Sequence, residues 1–575
     1  MIVARVLPNV TGLDKQFDYL VPERLAALVT LGTIVRIPLH GRRVGGWVMD
    51  LGEPQVDPDS LKEIAAVTGA GPSTDLIELA EWAGVRWAAR RRHFLSAASP
   101  ERAVRQLPGD QRTGRVVEPR SGATTTILAS GGGVLRLPPT ADPLPCVYSA
   151  VALGPTLVVA PAIDQAHLMG ARLRRAGLTV AVVPDEWAPA AGGVDIVIGA
   201  RGAAWAPCPG IAAAVVIDEH DEALQSESSP TWHARDVVVE RCRLAGVPVV
   251  AVSPCPTVSA LHWRPAIRPP ATRERNAWPI VDVADRSDQE PWRRSLLTST
   301  LIGHLRDHGR RVVCVINTTG RGRLLACRQC RALARCERCE GAVAILDSGG
   351  LGSGALMCGR CGADRPAVCL ECGSSAFANL RPGVTRLAEE LTAAAGRPAV
   401  TVTGADSDPP PEAGLYVGTE AVLHRVPRAD VVAFLDFDRE MLAPRYRANE
   451  RAMALLVRAA RLVGPRRLGG RVVVQTLLPR HEVIRAAVVA DPGLLAEHDA
   501  LSRRSLGLPP YRALAAVSGA GSDEFVADLH GVEVAGSASR YVIRADDWMS
   551  LGTALLDATR PRGSRLRIAV DPPDV

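Results

Sequence analysis

The sequence predicts an α/β protein with two parallel β-sheets, a β-rich N-terminal domain, an inserted cysteine module and a small C-terminal α+β domain. Three observations lead to this prediction. Short apolar segments alternate with helical stretches in two long tracts, which is typical of doubly wound parallel sheets. Eight of the 13 cysteines lie close together in four Cys-x-x-Cys pairs. The first hundred or so residues carry short β-segments separated by glycine and proline.

The length and composition narrow the class of protein. A chain of 575 residues is expected to form about two to four domains. It has no apolar run of 18 residues and no signal-peptide pattern at its N-terminus, so we predict a cytoplasmic protein without a membrane partner. The net charge of +6 weakly indicates an anionic partner.

The β-rich N-terminal domain is predicted to span residues 1–104. Its strands are predicted at 2–7, 17–22, 32–38 and 44–48, and a helix near 75–91. That helix ends in Arg90-Arg91-Arg92, a run that a solvated helix end would also explain. Residues 105–133, rich in Arg, Gly, Ser and Thr, are predicted to be a linker that ends in Gly131-Gly132-Gly133.

Two tracts of alternating strands and helices follow. The first, residues 134–295, has predicted strands at 156–160, 179–183, 195–198, 213–217 and 247–252. The second, residues 296–477, has predicted strands at 311–316, 399–403, 414–418, 431–436 and 471–476 and contains the cysteine module, 327–372. Residues 478–575 are predicted to form the small α+β domain, which begins with a helix over 481–504.

The cysteine module predicts two zinc sites. Two residues between cysteines let both thiolates face one ion, and tetrahedral zinc takes four such ligands. Disulfides, redox-active pairs and iron–sulfur clusters remain alternatives. Three pairings are compatible with the spacing, and we favour the nested one because it closes a compact module. Its outer site holds Cys327, Cys330, Cys369 and Cys372, and its inner site holds Cys336, Cys339, Cys358 and Cys361.

An acidic pair follows a buried strand in the first tract. Asp218 and Glu219 stand where a Walker-B pair would hold magnesium and orient water, although a simple loop start explains them equally well. The matching phosphate loop requires a lysine, and no lysine follows Lys62. Arginine does not replace it readily, because its guanidinium is larger and differently placed. Prolines between residues 135 and 145 are expected to stop the helix whose N-terminus would bind phosphate.

Several short motifs occur together in one order along the chain. They are Phe17-Asp18-Tyr19, Asp218-Glu219-His220-Asp221, Trp232-His233-Ala-Arg-Asp236, the cysteine array, Gly418-Thr419-Glu420, Leu435-Asp-Phe-Asp438, Leu508-Pro-Pro-Tyr511 and Val570-Asp571-Pro572. With these motifs, nearly the whole chain resembles the PriA family of bacterial replication-restart (primosomal) DNA helicases. The resemblance implies two RecA-like lobes with an inserted two-zinc module.

The resemblance also implies roles for individual residues. Phe17, Asp18, Tyr19, Gly32 and Lys62 would line a pocket for the 3′ end of a nascent strand at a DNA fork, although Phe17 and Tyr19 would equally suit a hydrophobic core. The partners it implies are forked DNA, other primosome proteins, the replicative helicase or its loader, and the single-strand DNA-binding protein. The C-terminal domain would bind DNA as well.

The sequence departs from the family pattern in the motifs that would bind and hydrolyse ATP. The phosphate loop and the arginine motif of the second lobe are absent, and the latter is interrupted by Pro465. The acidic box is one glutamate short, and residues 105–133 leave almost no room for the family's winged helix. We therefore expect a fork-binding zinc protein that assists primosome assembly, with Asp218 and Glu219 as a degenerate nucleotide site. The alternatives are an active ATP-dependent helicase that binds phosphate near Gly131–Gly133, and a zinc scaffold without a DNA role.

Overall fold

The structure is a computed structural model, and it describes most of the chain. The described residues are 2–53, 61–287, 296–316, 325–330, 332, 334, 336–337, 343–346, 355–358, 363–379, 384–404, 408–537, 540–561, 563 and 565–573. They form two compact units, one built from Met1–Arg275, Pro444–Ala454 and Ala490–Val575 and the other from Asn276–Ala443 and Leu455–Val489. In the described part of the chain, every helix is too short or too polar to cross a bilayer.

An antiparallel sheet opens the chain, as predicted. Its elements are β1 (Ile2–Pro8), β2 (Phe17–Val21), β3 (Ile34–Leu39), β4 (Arg42–Gly52), β5 (Ala66–Gly69) and the helices α1 (Thr74–Arg86) and α2 (Arg91–Ala98). The strand order is β2-β1-β4-β3-β5. The helix predicted near residues 75–91 is broken at Ala88, which adopts φ 46°. The arginine run therefore lies at the start of α2 and not at the end of α1, which corrects the prediction.

The first parallel sheet has seven strands in the order β12-β6-β11-β10-β7-β9-β8. Its elements are α3 (Gly122–Ala129), β6 (Gly133–Arg136), α4 (Leu144–Val151), β7 (Thr156–Val159), α5 (Ile163–Arg175), β8 (Val180–Val183), α6 (Trp187–Gly192), β9 (Ile196–Gly199), β10 (Ala213–Ile217), α7 (Ala234–Ala245), β11 (Val249–Ser253), α8 (Val258–Trp263), β12 (Ala266–Ile267) and α9 (Ala271–Ala277). All five predicted strands are present. Helix α3 lies inside the predicted linker, because Ser121 caps its N-terminus and its apolar side buries Ile127 and Leu128.

The second parallel sheet has six strands in the order β13-β23-β22-β14-β21-β20. The elements of this tract are β13 (Ile280–Asp285), α10 (Ser299–Arg306), β14 (Val312–Val315), β15 (Leu325–Cys327), β16 (Val343–Leu346), β17 (Ala355–Cys358), β18 (Asp364–Pro366), β19 (Phe377–Asn379), α11 (Val384–Ala395), β20 (Val400–Val402), β21 (Leu415–Gly418), α12 (Val422–Arg425), β22 (Val431–Phe434), α13 (Asp438–Met441), α14 (Ala448–Val463) and β23 (Arg471–Thr476). Strands β15 to β19 belong to the cysteine module and pair antiparallel. The predicted α/β class with two parallel sheets is confirmed.

The C-terminal region combines an antiparallel sheet with four helices. Its elements are α15 (Glu482–Val489), α16 (Pro492–Ser505), β24 (Ala513–Ser518), α17 (Ser522–Ala527), β25 (Glu533–Ser537), β26 (Arg540–Ala545), α18 (Trp548–Asp557) and β27 (Arg567–Val570). The helix predicted over 481–504 is wrong in one respect. The chain breaks at Ala490 (φ 59°), and Asp491 caps a second helix by accepting from the backbone N–H of Gly493.

One continuous core joins three parts of the first unit. It contains Leu76 of α1, Val237 of α7 and Leu551 of α18 together with the sheet residues between them. Phe94 stacks on Trp205, with ring centroids 5.2 Å apart. Since burial of each large apolar side chain contributes about 1.5–3 kcal/mol, we expect the N-terminal domain, the first parallel sheet and the C-terminal domain to fold together. The five predicted segments and the boundaries between them stay a prediction.

Asp499 of α16 makes the stability of this unit depend on pH. Its Oδ1 accepts from Asn449 at 2.8 Å, whereas Oδ2 is buried without a hydrogen bond among the described residues. Burial raises the pKa of the Asp499 carboxyl to about 6. A raised folded-state pKa stabilises the fold at low pH, and this contribution is lost as the pH rises through 6.

We therefore expect wild-type protein to lose about 1–2 kcal/mol more unfolding free energy between pH 5 and pH 8 than Asp499→Asn does. Urea denaturation at both pH values measures the difference. Glu497→Gln, which changes an exposed carboxylate of the same helix, serves as the control and should follow the wild type. A pH profile of Asp499→Asn that matches the wild type would contradict the assignment.

Candidate functional site

Strand β2 carries three of the five residues assigned to a pocket for a DNA 3′ end. Phe17 is half-buried, and the ammonium of Lys15 lies 5.7 Å from the centre of its ring. Asp18 accepts a hydrogen bond of 3.2 Å from the arginine of β1. Tyr19 is only 4% exposed and donates its hydroxyl hydrogen to a backbone carbonyl of β3. The Tyr19 ring therefore belongs to the core, while Phe17 and Asp18 retain exposed surface.

The other two residues of the assigned pocket are held by the backbone. The carbonyl of Lys62 accepts from the N–H of Leu20 at 3.0 Å, which places Lys62 beside β2 with its side chain exposed. Gly32 adopts φ 79°, and a Cβ there would lie 1.7 Å from the carbonyl oxygen of Pro72. Glycine is thus required at position 32 by the close approach of two backbone segments, whatever binds nearby.

The acidic pair at the end of β10 is enclosed by protein donors. Both Asp218 and Glu219 are buried, and Asp218 adopts φ 52°. Glu219 accepts from the backbone N–H of Thr257 at 2.8 Å, from its hydroxyl at 2.9 Å and from Arg235 Nη1 at 3.1 Å. Burial raises the pKa of the Glu219 carboxyl, against the opposing effect of Arg235. A carboxylate with both oxygens bound by the protein is poorly placed to orient a water molecule.

The Trp232-His233-Ala-Arg-Asp236 motif supplies these contacts. His233 Nδ1 accepts from the N–H of Arg235 at the start of α7, and burial lowers the pKa of this histidine to about 3. Arg235 joins Glu219 to Asp236, whose carboxylate also lies 3.5 Å from Arg86 Nη2 of α1. The motif therefore ties the acidic strand end to the N-terminal helices by buried ion pairs.

The position of the missing phosphate loop lies between β6 and α4. Helix α4 begins at Leu144 directly after Pro143, so the prediction that the prolines stop this helix is wrong. Proline is tolerated in a first helical turn, where its missing N–H would have no partner inside the helix. The side chain of Asp142 accepts from the N–H of Leu144 at 3.1 Å and pairs with Arg172 at 2.6 Å. A fixed carboxylate thus sits at the helix N-terminus, where a phosphate would otherwise bind.

The arginine at the end of β6 is likewise ion-paired with carboxylates. Arg136 is buried, and its guanidinium bonds Glu274 at 2.5 Å and Asp491 at 2.8 Å. Glu274 is itself buried on α9. No sequence pattern predicted this triad, because its members are far apart along the chain. Asp142 and this triad together leave little positive potential at the phosphate position.

The glycine run considered as an alternative phosphate turn lies at the wrong edge of the sheet. Gly131 and Gly132 adopt φ 85° and 117° and precede β6. A Cβ at Gly132 would lie 2.6 Å from the carbonyl oxygen of Val249, at the start of β11. Ligands of open parallel sheets bind at the carboxyl ends of the strands. Gly132 serves a close backbone approach at the opposite ends.

Four cysteines come together where the outer zinc site was predicted. Strand β15 pairs with β19, and the Sγ atoms of Cys327, Cys330, Cys369 and Cys372 all lie within 4.8 Å of one another. The closest pairs are 3.4 and 3.5 Å apart, much longer than a disulfide bond. Four gathered thiols fit the tetrahedral donor set of a bound metal ion. The cluster can therefore bind a metal ion.

The predicted inner site lies largely outside the described residues. Cys336 is described and buried, whereas Cys339 and Cys361 are not described. Cys358 ends β17, but its side chain also falls outside the described part. The second zinc site stays a prediction.

Comparison with known proteins finds similarity to PriA proteins. Residues 5–100 match the 3′DNA-binding domain (3′BD) family of PriA. The Mycobacterium tuberculosis protein described as "Probable replication restart protein PriA" is 29% identical over 89% of this chain and 85% of its own length. The Mycobacterium leprae protein of the same description is 28% identical over 89% of this chain and 86% of its own. The chain is similar to PriA over most of its length. The Bacillus subtilis replication restart protein PriA is 26% identical over 60% of this chain and 45% of its own length.

Two of the short motifs quoted above have visible structural roles. The C-terminal Val570-Asp571-Pro572 motif is anchored inside the first unit, where Asp571 accepts from Arg447 at 2.5 Å and from Tyr446 at 2.8 Å. His220 Nδ1 lies 2.9 Å from Ser253 Oγ, so the acidic box still contacts the end of the next strand. These contacts hold the motif residues within the first unit.

Proposed function

We propose that this protein recognises stalled or abandoned DNA forks through the 3′ end of the nascent strand and promotes replication restart without hydrolysing ATP itself. One contrast carries the proposal. The chain matches the 3′DNA-binding domain along residues 5–100, whereas its own carboxylates fill the phosphate position of the first parallel sheet. Recognition of the DNA end is retained, and the motor is not.

Three side chains of the N-terminal domain support end recognition. Phe17 can stack on a terminal base, because its ring is only partly buried. Asp18 can accept from a base edge or from the 3′-hydroxyl, and the exposed ammonium of Lys62 can approach the last phosphate. Tyr19 supports this pocket from the core and does not contact DNA.

The cysteine module supports assembly with other proteins. Structural zinc contributes on the order of 10 kcal/mol to folding a small module, which lets a short segment present a fixed surface. We propose that each chain binds two zinc ions and that this surface serves primosome proteins, the replicative helicase or its loader, and the single-strand DNA-binding protein.

Fluorescence anisotropy with synthetic forks tests the pocket. Wild-type protein should bind a fork with a free 3′-hydroxyl at the junction about tenfold more tightly than the same fork with a 3′-phosphate, a difference of about 1.4 kcal/mol. Phe17→Ala should remove most of this preference. Tyr19→Phe loses only a hydrogen bond to the backbone and should keep it. Equal affinity of wild-type protein for both forks would refute end recognition.

An ATPase assay with the same forks tests the missing motor. We expect no DNA-stimulated turnover, and no shift of the melting temperature with ATP and magnesium. Brisk turnover that Asp218→Ala abolishes would instead establish an active helicase with a non-standard nucleotide site.

A further inference from the structure

An arginine-rich surface of the N-terminal domain lies outside the pocket assigned above. Arg36 of β3 and Arg43 of β4 are exposed, and they face Gly45 and Pro38 across the antiparallel pair. Directly opposed residues project from the same side of a sheet. A Cβ at Gly45 would meet nothing within 4 Å. The two arginines therefore flank an open patch of backbone.

Two more arginines adjoin this patch at the start of α2. Arg92 Nη1 donates to the side chain of Asn9 at 3.1 Å, and the N–H of Asn9 donates to the carbonyl of Gly45 at 2.7 Å. The guanidinium of Arg90 lies 3.8 Å from the Cβ position of Gly12. We call Arg36, Arg43, Arg90 and Arg92 the arginine face. It borders residues 9–16, the segment that leads directly into Phe17.

In the described part of the chain, carboxylates pair with Arg91 and not with the four members of the arginine face. Arg91 pairs with Asp14 at 3.5 Å and Glu81 at 3.6 Å. The four members of the face have no ion pair among the residues that the structure describes. Cations are also disfavoured at a helix N-terminus, so Arg90 and Arg92 do not serve the stability of α2.

Neighbouring cations respond to this positive potential. The pKa of His93 is lowered by burial and further by Arg92 and Arg90, with Asp14 opposing them. The pKa of Arg560, whose guanidinium bonds the carbonyl of Ala88, is lowered by burial and then by Arg90. For both groups, the positive charge of Arg90 disfavours the protonated form, and a bound anion would offset that effect.

We propose that the arginine face binds the phosphate backbone of the DNA strand whose 3′ end enters the pocket at Phe17. Arginine forks match phosphate oxygens, and the open backbone at Gly45 lets a strand approach closely. Segment 9–16 connects the face to the pocket, so one strand can engage both. This inference rests on the proposed end recognition and extends it along the strand.

Salt titration of fork binding tests the proposal. Each phosphate contact contributes about 0.7–0.9 to the slope of log affinity against log salt. The triple variant Arg36→Gln, Arg43→Gln, Arg90→Gln should therefore lower the magnitude of the slope by about 2 and weaken binding about tenfold or more at physiological salt. Its preference for the 3′-hydroxyl over the 3′-phosphate fork should persist. The charge-retaining triple Arg→Lys variant should recover most of the slope.

The control variant also removes three arginine charges, but from a different part of the protein surface. Arg175, Arg243 and Arg264 are exposed in the first parallel-sheet tract, and their triple Arg→Gln variant should keep the wild-type slope. A second experiment uses wild-type protein, so its result does not depend on whether a variant folds correctly. Forks with neutral methylphosphonate linkages in the last few nucleotides before the 3′ end should bind more weakly than forks with the same linkages farther away.

The outcomes separate the inference from the proposed function. Wild-type protein that does not distinguish the two forks refutes end recognition. Wild-type discrimination together with an unchanged slope in the triple variant overturns the arginine face alone. Equal effects of near and distant methylphosphonates overturn it as well.

Discussion

Replacing Cys369 with serine is expected to remove one metal ion per chain and to unfold the strands that the outer cluster holds. The four Sγ atoms lie within 4.8 Å of one another, and beyond the cluster this part of the module has only a small buried core in its described residues. Loss of one thiolate leaves three ligands, and a structural zinc site contributes on the order of 10 kcal/mol to folding. Metal content by mass spectrometry measures the loss, and limited proteolysis locates the unfolded segment.

Cys146→Ser is the matched control for this experiment. Cys146 is buried on α4 beside the hydroxyls of Ser121 and Thr124, outside the cluster. This variant should retain the metal content and the protease resistance of the wild type. A Cys369→Ser protein with unchanged metal content would show that the outer cluster is not a metal site.

Replacing Arg235 with methionine is expected to destabilise the first unit by about 3–5 kcal/mol. Arg235 is the shared partner of Glu219 and Asp236, all in buried surroundings. Its removal leaves the buried Glu219 carboxylate in a low-dielectric interior without its cation, and this penalty exceeds the value of the ion pair itself. Urea denaturation, followed by tryptophan fluorescence, measures the change.

Two further variants distinguish this structural role of Glu219 from a catalytic one. Glu219→Gln combined with Arg235→Met removes the unpaired charge and should recover part of the lost stability, since Asp236 keeps its contact with Arg86. Arg243→Met changes an exposed ion pair on the same helix and should cost no more than about 0.5 kcal/mol. A double variant no more stable than Arg235→Met would contradict the buried-charge argument.

The site could be predicted only in part. The Cys-x-x-Cys spacing predicted the cluster of four cysteines, because such spacing depends only on residue type and short separations. The pocket residues Phe17, Asp18 and Tyr19 came from the resemblance, which could not tell that Tyr19 faces the core. The absence of a lysine after Lys62 indicated a lost phosphate loop. The carboxylates that fill its place were not predictable, because Arg136, Glu274 and Asp491 come together only in three dimensions.

The sequence by itself determined the α/β class, the two parallel sheets and most strands, since apolar runs and helical periodicity are local properties of the chain. The sequence did not predict the helix breaks at Ala88 and Ala490, because a single residue with positive φ interrupts an otherwise helical pattern there. Only the tertiary structure decided that Glu219 is locked by Arg235, that Asp142 occupies the helix N-terminus, and that Arg90 and Arg92 lie beside residues 9–16. Such assignments depend on distances between residues remote in sequence, and folding alone fixes those distances.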